Sequence, residues 1–123
     1  MRVMPTIKGI AFYGYPVENM AEARAFYEGV LGLKVKKDFE GKWVEYDIGG
    51  GVLAITTLAT ERVPGAAGGF VALEVDDLEA WVAEMKAKHV TLIVERFETP
   101  ISSMAVIADP DGNEVTLHQA KQG

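Results

Sequence analysis

Two residues of this chain have the types and placement for proton exchange with each other, His118 and Glu74. Histidine is the side chain whose ordinary titration falls nearest neutrality, and the chain has only two, His89 and His118. His118 ends the segment Glu114-Val115-Thr116-Leu117-His118. Strand alternation there puts Glu114, Thr116 and His118 on one face, with Val115 and Leu117 on the other. Glu74 lies in a second strand-like segment, Phe70 to Val75, with the same parity as Phe70. If both polar faces line one apolar cavity, His118 and Glu74 form a general acid–base pair, their pKa values moved by burial and pairing. Glu114, beside a turn, falls at the rim. A metal centre built on His118 and Glu74 needs a third donor, and none is identifiable.

Other chemistries are poorly supplied. There are no cysteines, which excludes thiolate nucleophiles and disulfides and fits a reducing cytoplasm. No P-loop, dinucleotide glycine fingerprint or nucleophile-elbow serine is present. Eighteen acidic against twelve basic residues give a net charge of −6, without a lysine or arginine block, so nucleic acid is not an expected partner. The acidity favours cationic ligands only modestly; its simpler role is solubility. Apolar runs stop well short of the ~20 residues of a membrane span. The first residues lack a signal-peptide core. The expected location is cytoplasmic.

The elements that would position these residues follow from periodicity. Lys8 to Val17 is aromatic and β-branched, a strand. Asn19, with Glu22 three residues on, caps a helix whose buried stripe is Met20, Ala23, Tyr27 and Val30. Gly32 suits its left-handed end. Strands at Leu33–Phe39, Lys42–Ile48 and Val52–Leu58 follow. Residues Ala59–Gly69, small and aperiodic, form a connection. The order then repeats with a strand at Phe70–Val75 and a helix capped by Asp76 with Glu79, its stripe being Leu78, Trp81, Val82 and Met85. Strands at Thr91–Phe97 and Ser102–Ala108 precede the closing strand, which starts after the Asp109-Pro110-Asp111-Gly112 turn. Lys86, Lys88 and His89 fall in the second helix's last turn, where the helix dipole favours positive charge, so His89 has a structural role. On the third strand Trp43, Glu45 and Asp47 share one face and Val44, Tyr46 and Ile48 the other. Glu45 and Asp47 are expected to face solvent, and Trp43 to stack on a ligand or anchor an interface.

The two halves superpose. Phe12 matches Phe70, Val17-Glu18-Asn19-Met20 matches Val75-Asp76-Asp77-Leu78, and Ala54 and Thr56 match Thr116 and His118. Duplication at half the chain length predicts an α+β fold of two tandem β-α-β-β-β modules, about 7–58 and 70–119 of one domain. Each module carries its helix on one face of a curved mixed sheet. The opposite faces form troughs that together make a cavity.

The phrases Arg24 to Leu33 (RAFYEGVLGL), Phe70 to Leu78 (FVALEVDDL) and Asp109 to Asn113 (DPDGN) resemble, in order and separation, those of the vicinal oxygen chelate superfamily. That superfamily includes glyoxalase I, the bleomycin-resistance proteins and the extradiol dioxygenases. In its metal-dependent branch the resemblance implies ligands, typically histidine and glutamate, at Phe12, Ala54, Phe70 and Thr116. None of these is a good donor, so no metal and no other cofactor is expected. A small, partly apolar or aromatic molecule is expected instead, in a cavity lined by Phe12, Ala54, Thr56, Phe70, Thr116, His118 and Trp43. The alternatives are a glyoxalase-like lyase/isomerase or ring-cleaving dioxygenase with displaced ligands, or a metal-free acid–base enzyme using His118 with Glu74. The resemblance also implies a homodimer whose cavities are completed across subunits.

Overall fold

The computed structural model describes residues 11–58, 64 and 70–121. The start of the first expected strand and almost all of the connection at Ala59–Gly69 lie outside them. The first module comprises β1 (Tyr13–Pro16), α1 (Met20–Arg24, continued by a π-helical turn over Ala25–Val30), β2 (Lys34–Phe39), β3 (Trp43–Asp47) and β4 (Val52–Thr56). The second comprises β5 (Val71–Glu74), α2 (Leu78–Ala87), β6 (Thr91–Glu98), β7 (Ser102–Ala108) and β8 (Glu114–Ala120). Each makes a four-stranded mixed sheet, in the orders β1-β4-β3-β2 and β5-β8-β7-β6. The β1–β4 and β5–β8 pairs are parallel and the others antiparallel. The fold is thus α+β with two β-α-β-β-β modules.

Local chemistry explains the helix ends. Asn19 Oδ1 accepts the Glu22 N–H at 3.0 Å, satisfying one of the amides a helix start leaves open. The π-helical turn closes with the Leu31 N–H on the Phe26 carbonyl at 3.0 Å. Phe26 joins Tyr27 in the core, an addition to the expected stripe. Gly32, with φ 71°, takes the left-handed position expected of it. In the second module the cap is Asp77, not Asp76: Asp77 Oδ1 accepts the Ala80 N–H at 3.0 Å. The Val75 N–H is bonded to the His118 carbonyl at 2.8 Å, so the chain is still tied to the sheet at Val75 and the cap falls at Asp77 rather than Asp76. His89 lies just past α2, not in its last turn, with φ 58° and its N–H on the Lys86 carbonyl at 3.1 Å.

One apolar core serves both modules, gathering Phe26, Tyr27 and Tyr46 with Leu78, Met85 and Ile107. Tyr27 stacks between Tyr15 and Tyr46, with ring centroids 6.4 and 6.0 Å away. The Asp-Pro-Asp-Gly turn is pinned to the first module. The Tyr27 hydroxyl donates to Asp109 Oδ2 at 3.1 Å, and Asn113 Nδ2 donates to the Pro16 carbonyl at 2.9 Å. Asp109 Oδ1 also takes the N–H groups of Asp111 and Asn113. Burial nevertheless pushes the Asp109 carboxyl above its usual range. Because the helical faces share this core, the other face of each sheet looks outward.

Candidate functional site

Strand register decides which side chains occupy those outer faces. In the first module Gly14 pairs with Ala54 and Ala54 with Glu45, while Pro16 pairs with Thr56 and Thr56 with Trp43. Directly paired residues point to the same side, so Ala54, Thr56, Trp43 and Glu45 share the outer face. Val44 and Tyr46 are fully buried on the core side. Glu45 therefore does not stand on a separate solvent face: its Oε2 accepts the Trp43 Nε1–H at 2.9 Å, within the trough. Asp47 has the same parity but lies at the strand end, exposed, accepting the Gly49 N–H at 3.0 Å. Phe12 meets Trp43 edge to face with ring centroids 5.0 Å apart.

The second module repeats the arrangement. Ala72 pairs with Thr116 and Glu74 with His118, and His118 pairs in turn with Met104, which pairs with Phe97. The structure brings the two ionisable candidates into contact, His118 Nδ1 lying 2.6 Å from Glu74 Oε1. Glu74 Oε2 also accepts the Ala120 N–H at 2.9 Å. That backbone donor first, and the imidazole second, hold the Glu74 carboxyl below its usual range. Burial, expected from the sequence to act beside pairing, is not the cause, since the Glu74 side chain is 60 % exposed. Glu114 contributes its backbone carbonyl to Tyr15. The Thr56 hydroxyl donates to the Lys42 carbonyl at 2.9 Å and accepts the Leu58 N–H at 2.9 Å, so it is committed to the strand end.

Among the described residues the aromatic rings of the two troughs stay uncovered. Phe12, Phe39, Phe70 and Phe97 are 40, 52, 59 and 54 % exposed. One core gathers side chains from both modules, which leaves the trough faces open among the described residues. Phe39 and Phe97 were not expected at the site. Phe39 pairs with Trp43 and Phe97 with Met104. The signal was in the chain, because Phe12 to Phe70 and Phe39 to Phe97 are separated by the same 58 positions. Irregularities in β2 and β6 hide it by shifting the alternation.

The resemblance implies metal ligands at Phe12, Ala54, Phe70 and Thr116. Ala54 and Thr116 are buried, and only the threonine has a donor atom. Among the described residues no three His, Cys, Asp or Glu side chains are grouped to hold a metal ion. The donor set does not fit a divalent ion at that place.

Solved structures of similar shape span nearly the whole chain. TnmS3, an antibiotic-binding protein from Streptomyces sp. CB03234, has a TM-score of 0.82 and 24 % identity, covering 96 % of this chain and 100 % of that one. A glyoxalase/bleomycin resistance protein from Streptomyces sp. CB03234 has a TM-score of 0.76 and 27 % identity, covering 90 % and 100 %. A lactoylglutathione lyase from Agrobacterium tumefaciens has a TM-score of 0.74 and 22 % identity, covering 94 % and 96 %. No curated protein matches significantly. The Glyoxalase/Bleomycin resistance protein/Dioxygenase superfamily model matches residues 9–117, and the chain belongs to that superfamily.

Proposed function

We propose that this protein binds a small, partly apolar or aromatic molecule against its concave sheet faces, without the family metal. The observation that carries this reading is the exposed aromatic surface of those faces. Phe12 and Phe70 stand where the resemblance implies metal ligands, and Phe12 packs against Trp43 with ring centroids 5.0 Å apart. Such a face offers dispersion and ring-edge contacts to a flat ligand. The antibiotic-binding description of TnmS3 supports the same kind of role.

A second copy of the chain is the proposed cover for the open troughs, the homodimer that the family resemblance implies. Sedimentation analysis returning a monomer at working concentration would remove this part. The cysteine-free composition supports a cytoplasmic setting.

Elemental analysis tests the central claim. Protein purified without chelators should carry well under one nickel, zinc, iron or manganese per chain; about one per chain would overturn it. A thermal-shift screen of small aromatic compounds should return stabilising hits, since ligand at a hundred times its Kd adds about 2.7 kcal/mol.

The 2.6 Å contact of His118 with Glu74 favours one second reading, metal-free acid–base catalysis. Turnover that survives His118→Ala unchanged would dispose of it.

A further inference from the structure

We propose that His118 Nε2 is an acceptor that selects ligands carrying an acidic hydroxyl, a phenol or enol, on an aromatic body. The proposal rests on the binding role above and names the class of molecule bound.

Glu74 sets the protonation pattern of the imidazole. Its Oε2 takes the Ala120 N–H at 2.9 Å, while its Oε1 faces His118 Nδ1 at 2.6 Å. An ionised carboxylate only accepts, and the Ala120 amide favours that ionised form. The proton of this short contact therefore belongs to Nδ1. In a neutral imidazole a proton on Nδ1 leaves Nε2 as a bare lone pair. Nε2 has no hydrogen-bond partner among the described residues, and the side chain is 31 % exposed. It has the freedom to meet a ligand donor.

Its surroundings name the rest of that ligand. Phe97, Met104, His118 and Glu74 form one row across β6, β7, β8 and β5. On the side away from Glu74 the acceptor thus has a thioether and a phenyl ring as neighbours, a surface suited to an aromatic body. The duplication isolates the feature. The matching row of the first module is Phe39, Trp43, Thr56 and Pro16, where the Thr56 hydroxyl is already committed to Lys42 and Leu58. The row keeps its aromatic residue at the sheet's outer strand in both modules, whereas the paired histidine and carboxylate occur only in the second.

Two measurements on the full chain test this. Two-bond 1H–15N spectra at about pH 8, where an ordinary imidazole is neutral, should show His118 as the Nδ1–H tautomer. Glu74→Leu should shift it toward Nε2–H and leave His89 unchanged. A dominant Nε2–H form, or a doubly protonated ring, in the unaltered protein overturns the proposal. The second measurement compares 2-naphthol with its methyl ether, 2-methoxynaphthalene, by calorimetric titration. The naphthol should bind about fivefold more tightly, the worth of one net hydrogen bond, and His118→Ala should abolish the difference. Equal binding to the unaltered protein overturns the hydroxyl selection and leaves the aromatic-binding role standing. Binding of neither probe overturns both.

Discussion

Tyr15 donates its hydroxyl to the backbone carbonyl of Glu114 at 2.7 Å, a partner 99 positions along the chain. The same oxygen accepts the Val71 N–H at 2.6 Å. One phenol thus ties β1 of the first module to the opening residues of β5 and β8 in the second. Removing it leaves a buried amide without its partner, the expensive kind of hydrogen-bond loss. Tyr15→Phe should therefore destabilise the protein by about 1–3 kcal/mol, read as a lower urea midpoint at unchanged slope.

The same residue sets an alkaline limit. Burial pushes the Tyr15 phenol up to about 12 from an ordinary value of 10.0. The folded state then keeps a proton that the unfolded chain releases. The associated stability is complete below pH 10, and is lost as pH rises toward about 12. Tyr27 and Tyr46 are raised in the same direction by burial, so the loss should be steep. Equilibrium unfolding followed between these limits should show a shallower decline in Tyr15→Phe.

On the acid side the sign reverses. Glu28 receives Arg24 Nε at 2.6 Å and the Tyr46 hydroxyl at 2.8 Å, while Arg24 Nη1 reaches Asp38 at 2.7 Å. Hydrogen bonding to Arg24 holds the Glu28 carboxyl below its usual range. Its contribution is present above the unfolded pKa and disappears as pH falls through the depressed folded value. The side chains are about one-third exposed, so solvent screening keeps the term small. Arg24→Gln should lower stability by about 0.5–1 kcal/mol near neutrality and flatten the decline below about pH 4.5. An acid profile identical to that of the unaltered protein would exclude this network as a contributor.

How much was legible in the sequence depended on whether a residue's role was local or relational. Asn19 and Gly32 act on their own helix, and both took the expected places. Asp77 was visible through its match to Asn19 in the duplication, but the pairing of Val75 with β8 had to be known before Asp76 lost the cap. Alternation grouped Trp43, Glu45 and Asp47 correctly, whereas only strand order reveals that their face is the trough. The contact of His118 with Glu74 needed the parallel β5–β8 register, which periodicity cannot supply. Phe39 and Phe97 were hidden by irregular pairing in β2 and β6. The outward direction of both troughs follows from one core gathering side chains of both modules, and no segment of sequence encodes that alone.

Exposure separates binding from folding at the trough, which allows a last prediction. Phe12 and Phe70 are 40 and 59 % exposed, so much of each ring lies in water already and its removal opens no sealed cavity. Surface substitutions of this kind usually change stability by less than about 0.5 kcal/mol. The edge-to-face contact with Trp43 makes Phe12 the more sensitive of the two, adding about 0.5–1.5 kcal/mol. Against an aromatic ligand the order of effects should invert, because a bound ring would cover the surface that water now covers. Phe70→Ala should weaken 2-naphthol binding about tenfold, from the loss of roughly 1–2 kcal/mol of buried aromatic contact, while its melting temperature stays within about 2 °C. A variant that melts normally and binds normally would show that Phe70 only fills space; one that melts far lower would place the residue in the fold's own packing rather than at a ligand face.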